Sequence, residues 1–161
     1  MFRSLTLSAA ACATTLGFFA VGQAAAAAGC PNAGWVVVEA KAAPETRPVT
    51  DRPKHTIFVR RAQITTTADL TEIKLDGDAY DSLVQMKFTP EAAKRLHDAT
   101  TEKSGMRIAF VADDRVVSAV TWTGPYGMDA EYGVQISLGR ATPDIRPIIE
   151  AIQRCVGSGA R

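Results

Sequence analysis

Hydrophobic and polar positions along this chain follow two rhythms, one of period two and one of period three to four, separated by polar, turn-rich stretches. Alternation suits a half-buried strand, and the longer period suits an amphipathic helix. The first apolar run lies in PNAGWVVVEA, strand-like from Trp35 to Glu39. KAAPETRPVTDRPK follows, and its Pro44, Pro48 and Pro53 predict an extended strap over the surface, because proline lacks the N–H that helices and ladders use. The compact domain is then expected to begin near His55. In HTIFVRR, Ile57 and Val59 share one face and Phe58 takes the other, as in a strand. ADLTEIKL alternates imperfectly and reads as a strand or as a helical turn leading into one. LVQMKF sets Val84, Met86 and Phe88 to one side, and the polar LDGDAYDS before it predicts a hairpin between the two segments.

FTPEAAKRLHDATT reads as a helix with a marked start. Thr89 suits the N-cap, Pro90 suits the first helical position, and Glu91 lies where the helix dipole favours an anion. Ala92, Ala93, Leu96, Ala99 and Thr100 make a modest apolar face, with Lys94, Arg95, Asp98 and Glu102 mostly away from it and Gly105 as the closing glycine. MRIAFVADDRVVSAVTW predicts a second hairpin turning at Asp113-Asp114, GPYGMD a flexible loop, and EYGVQISLG a further strand. Thr142-Pro143-Asp144 repeats the helix-start chemistry, and the last helix should bury Ile145, Ile148, Ile149 and Ile152 before ending at Gly157 and Gly159. The class is α+β: a mostly antiparallel sheet of about four to six strands with two helices packed on one face.

The first thirty residues do not fit that pattern. A cation at Arg3, an apolar and small-residue run, and an alanine tract ending in Gly29-Cys30 have the grammar of a secretory signal peptide. Its apolar centre is too diluted by Ser, Thr and Ala for a spanning helix. The expected division is a signal peptide over 1–28, an N-terminal strand and proline-rich strap over 29–54, one α+β domain over 55–157, and a tail over 158–161. No later stretch is long and apolar enough to span a bilayer, so the mature chain is expected in the periplasm or outside the cell. Lys plus Arg number 18 and Asp plus Glu 17, giving a net charge of +1. With no basic block interleaved with aromatics, that balance argues against a nucleic-acid partner.

Cysteine usage sharpens the compartment. Cys12 leaves with the signal, so Cys30 and Cys155 remain, and in an oxidising compartment two such cysteines are most simply a disulfide. A second reading stands beside it. Ala27-Ala28-Gly29-Cys30 resembles a lipobox, although Ala27 replaces the usual large aliphatic residue, and an acylated Cys30 would hold the domain on a membrane.

FTPEAAKRLHDATTEKSGMRIAFVADDRVVSAV resembles the head part of the first periplasmic domain of SecD and SecDF, membrane subunits of the Sec protein-export machinery. The likeness runs ungapped through Thr89, Pro90, Glu91, Ala93, Gly105, Ala109, Asp113, Val116, Ser118 and Ala119, and extends over about Phe58 to Val156. Ala92, Asp114 and Val120 depart from the Gly, Gly and Pro usual in that family. The resemblance implies a domain that contacts emerging polypeptide. SecD proper also carries transmembrane helices that couple proton flow to translocation, and no such segment is expected here, so energy coupling is not implied.

Candidate chemistry is thin. Ser118, His97 and Asp113 or Asp114 supply the residue types of a nucleophilic triad, but Ser118 lies inside a strand pattern without a G-x-S-x-G elbow. His55 and His97 show no metal-ligand spacing, and Asp76, Asp78 and Asp81 fit a hairpin turn better than a calcium loop. No metal or cofactor is expected. Trp122, Tyr126 and Met128 stand among glycines outside the periodic segments, where large apolar groups can anchor a partner peptide or, equally, plug the core. The functional expectation is a non-enzymatic exported binding domain for a polypeptide or envelope partner. Its alternative is a small periplasmic hydrolase or metal-dependent enzyme using His97 and nearby carboxylates.

Overall fold

A computed structural model of the chain describes residues 30–52, 55–78, 82–101, 105–122, 133–138 and 144–159. Its strands are β1 (Ala33–Glu39), β2 (Thr46–Arg52), β3 (His55–Gln63), β4 (Leu70–Gly77), β5 (Ser82–Phe88), β6 (Arg107–Ala112), β7 (Arg115–Thr121) and β8 (Val134–Ser137). The helices are α1 (Pro90–Thr101) and α2 (Arg146–Gly159), and a short 3₁₀ turn over Thr67–Asp69 leads into β4. That turn resolves the ambiguity of ADLTEIKL: it is a helical turn first and a strand afterwards. The α+β class and the two helices agree with the sequence. The strands, however, form two sheets: a closed barrel in the order β1-β3-β2-β7-β6, and a three-stranded sheet β4-β5-β8. All pairings are antiparallel except β2 with β7.

The expected proline-rich strap is instead a barrel strand. β2 pairs with β3 along its length, with Pro48 opposite Phe58. Backbone polarity explains why the proline is tolerated. The Arg61 N–H donates to the Glu45 carbonyl across the β2–β3 seam at 2.8 Å, whereas the Thr50 N–H donates outward to the Asp114 carbonyl at 3.0 Å. Amides alternate sides along a strand. The nitrogen of Pro48, two residues before Thr50, therefore faces away from β3, and no β2–β3 bond is lost.

Two hydrophobic cores share one wall. Val36, Val49, Ile57, Val59, Ala109, Val111 and Val116 fill the barrel. Trp35, Phe110 and Ile108 leave the opposite faces of β1 and β6 and join a larger core with Ile73, Val84 and Met86 of the sheet. Successive side chains of a strand point to opposite faces, so β1 and β6, buried on both, read as continuous apolar runs. Trp35 and Phe110 are register partners with ring centroids 5.6 Å apart and planes tilted by 53°. Such a pair adds about 0.5 to 1.5 kcal/mol beyond its area.

Both helices cover this larger core. α1 contributes Ala92 and Leu96, and α2 contributes Ile149 and Ile152, with Ile145 just before the helix also buried and Ile148 partly buried beside them. Thr89 caps α1 as its sequence predicts: its hydroxyl accepts the Ala92 N–H at 3.3 Å, and its carbonyl accepts the Ala93 N–H at 2.9 Å. α2 runs through Gly157 and Ser158 and ends at Gly159, within the glycine tail that the sequence marks. The start expected at Thr142-Pro143 lies outside the described residues.

Candidate functional site

The β6–β7 turn is built from Asp113 and Asp114, both with positive φ, at 45° and 62°. Two successive left-handed residues match the twist of a tight hairpin, and aspartate tolerates that region better than most residues. Both carboxylates are engaged. Asp113 accepts the Asn32 N–H at 2.9 Å, and Asp114 pairs with Arg47 of β2. Burial first and the neighbouring Arg61 second lower the pKa of Arg47.

Around the start of β1 a polar latch adds to that turn. The Thr65 hydroxyl accepts the Trp35 N–H at 3.1 Å, and the Thr67 hydroxyl accepts the Ala33 N–H at 2.7 Å and donates to the Pro31 carbonyl at 2.8 Å. Asp69 fixes the latch, accepting from the Thr66 N–H at 2.7 Å and pairing with Arg95 of α1 at 2.8 Å. A bridge joins Cys30 to Cys155 of α2, with Cα atoms 5.7 Å apart, as the cysteine arithmetic predicts. Thr66 and Asp69 form a T-x-x-D capping box that the sequence does carry, whereas Thr65, Thr67 and Arg95 have no motif for their roles, which exist only once the segment Ile64–Asp69 lies against β1 and α1.

Trp122 follows β7 and is half-buried against the larger core. Its N–H donates to Met106 at 2.8 Å and its carbonyl accepts the Gly105 N–H at 2.6 Å, extending the β6–β7 ladder by one step. Trp122 is thus partly the core plug that its sequence allowed. Tyr126 and Met128 lie outside the described residues.

The enzyme candidates are spread over the fold. Ser118 is in the middle of β7, half-buried, His97 is on α1, and the two turn aspartates hold Asn32 and Arg47. His55 opens β3 with its Nδ1 at 3.0 Å from Asp51. Asp76 accepts the Gln85 amide at 3.1 Å, the Asp78 carbonyl accepts from Arg146 at 3.0 Å, and Asp81 lies outside the described residues. Among the described residues no group of three or more His, Cys, Asp or Glu could hold a metal ion.

On the solvent face of β4 and β5, Glu72 lies 2.5 Å from the Lys74 ammonium and 2.9 Å from that of Lys87. Their hydrogen bonds, Lys74 first, lower its pKa from 4.5 to about 2. Asp69 is also lowered: burial alone would raise it, but the hydrogen bonds from Arg95 and Thr66 outweigh that. Both carboxyls have folded pKa values below their unfolded ones. Their stabilising contribution is therefore complete above the unfolded values and fades as pH falls from about 4.5 towards 2. The Glu72 side chain should remain ionised at about pH 3 in a carboxyl NMR titration, and Asp69→Asn should make stability less sensitive to acid. A Glu72 midpoint near its unperturbed value would show that the lysine contacts are absent in solution.

A small barrel sharing a wall with a helix-covered three-stranded sheet defines an α+β domain, in which Ser118, His97 and the turn aspartates sit on separate elements. The profile of the family described as SecDF, P1 head subdomain, matches residues 41–138, and the chain belongs to that family. Two solved structures share its fold. "Crystal structure of SecDF in Super-membrane-facing form" matches with a TM-score of 0.52 at 20% identity, over 80% of this chain and 19% of that one. "Structure and function of a membrane component SecDF that enhances protein export" also has a TM-score of 0.52 at 20% identity, over 78% of this chain and 63% of that one. The chain thus spans less than two thirds of either. No curated protein matches it.

Proposed function

We propose that this chain is an exported, non-catalytic domain that binds polypeptide in support of protein export. The observation that carries the reading is the family match over residues 41–138, joined to the fold shared with a membrane component that enhances protein export. The disulfide fits an oxidising compartment, and the first 28 residues fit a cleaved signal peptide. Among the described residues no helix is long and apolar enough to cross a membrane. On this reading the domain acts on chains presented to it, and carries no energy-coupling step of its own.

A permanently unfolded probe, reduced and carboxymethylated α-lactalbumin, tests the binding by fluorescence anisotropy. Saturable binding to this probe is expected, with none to folded α-lactalbumin, and absence of binding to the unfolded form rejects the reading. His97→Ala should leave the affinity unchanged within about twofold, because His97 is on α1 and the reading gives its imidazole no chemical role. Intact mass of the protein isolated from its envelope should show cleavage between Ala26 and Cys30. An uncleaved mass rejects export by this signal, and a diacylglycerol adduct on Cys30 replaces the disulfide with a lipid anchor.

A further inference from the structure

The barrel closes through one weak seam. β2 and β7 run parallel and share a single register pair, Thr50 with Arg115. β2 ends two residues later at Arg52, while β7 continues to Thr121, so the second half of β7 runs past its neighbour. On the other side β7 is paired with β6 to its end: Phe110 with Ser118, Ala109 with Ala119, Ile108 with Val120 and Arg107 with Thr121. The Trp122 N–H and carbonyl both bond towards β6. By alternation Val120 and Ser118 face β6 as well, and the N–H and C=O groups of Ala119 and Thr121 face outward.

Exposed strand edges are normally blunted by charge, proline, shortness or a covering element. Other edges of this fold carry such devices. β2 has Arg47 and Pro48, β8 has four residues, and β4 is covered by α2, whose Gln153 amide donates to the Ile73 carbonyl at 3.1 Å. Val116 to Thr121 of β7 has no charge and no proline, and the bulge in its ladder lies before Ser118. Its side chains are also suited to a neighbour: Val120 and Trp122 are partly buried on the core side, Ala119 on the barrel side, and Thr121 is exposed.

We propose that the β7 edge from Ser118 to Thr121 binds an extended polypeptide by strand addition, using the outward backbone groups of Ala119 and Thr121. This rests on the polypeptide-binding reading and deepens it. Main-chain hydrogen bonds give affinity without regard to side-chain sequence. That suits a partner recognised as unfolded chain rather than as a motif, with apolar residues favoured where the added strand passes Val120 and Trp122.

Amide hydrogen exchange followed by NMR on the full chain, as isolated from its oxidising compartment, tests this with the carboxymethylated α-lactalbumin probe. The Ala119 and Thr121 amides should exchange freely in the unliganded chain and slow by at least about tenfold when the probe binds, as expected for a newly made backbone bond. Thr121→Pro removes one outward donor and should weaken binding by about tenfold. Thr121→Lys is the companion variant if the proline disturbs folding, which circular dichroism reports. Probe binding without protection of these amides leaves the polypeptide-binding reading standing and overturns the edge. Protection already present without probe also overturns it, a concentration-dependent form showing a second copy on the edge and a concentration-independent form showing a segment of the same chain. No probe binding at all overturns both readings.

Discussion

Replacing Gly34 by alanine is expected to destabilise the fold by several kcal/mol, on the order of 3 or more, enough to unfold a domain of ordinary stability. A Cβ at this position would lie 1.8 Å from the Thr65 carbonyl oxygen and 2.8 Å from its carbon. Both are backbone atoms, so no side chain can rotate aside. Thr65 itself is fully buried and tied to Trp35, and β1 is held between β3 and β6. Neither side can retreat without breaking a ladder or opening a core. Gly105→Ala is the contrast: its φ of +87° disfavours a side chain, but nothing lies within 4 Å of the added atom. That variant should cost about 1 kcal/mol. Urea unfolding followed by far-ultraviolet circular dichroism measures both, and a Gly34→Ala protein within about 1 kcal/mol of the parent would show that β1 and the Thr65 segment are not in close approach.

Reduction of the disulfide should have the next largest effect. Cys30 and Cys155 are 125 residues apart, so the bridge removes a large loop from the unfolded ensemble. The chain-entropy estimate for a loop of that size is about 5 kcal/mol. What the bridge joins is the start of β1, otherwise held by Asn32 and Ala33 contacts, and α2, whose isoleucines close the larger core. Cys30→Ser should lower the melting temperature by roughly 15 °C or more, and a reductant should lower the parent's melting temperature while leaving the variant unchanged. Two free thiols in the unreduced, unfolded mature protein would remove the bridge from solution altogether.

Much of this architecture was legible because local chemistry and period agree. Thr89-Pro90-Glu91 marks a helix start by three independent preferences, the isoleucines of α2 fall at helical spacing, and Val84, Met86 and Phe88 alternate as a one-sided strand does. The barrel was hidden for a specific reason. Pro48 normally signals a break in pairing, and its tolerance depends on which neighbour its missing N–H would face, a property of the assembled sheet. Continuous burial of β1 and β6 likewise reveals two covered faces without saying that one of them is a barrel interior. The candidate site was less legible still. Trp122 stood out by residue type, whereas the outward amides of Ala119 and Thr121 are backbone groups that become distinctive only through the one-residue overlap of β2 with β7.

The covalent joint between Cys30 and Cys155 also decides how the domain bears load. Tension applied between Cys30 and the chain after residue 155 passes through the sulfur–sulfur bond, and the segment between the two cysteines, with both sheets and α1, carries none of it. In its oxidised state the domain therefore cannot be drawn out from its first residues, whereas the reduced chain would be unravelled strand by strand starting at β1.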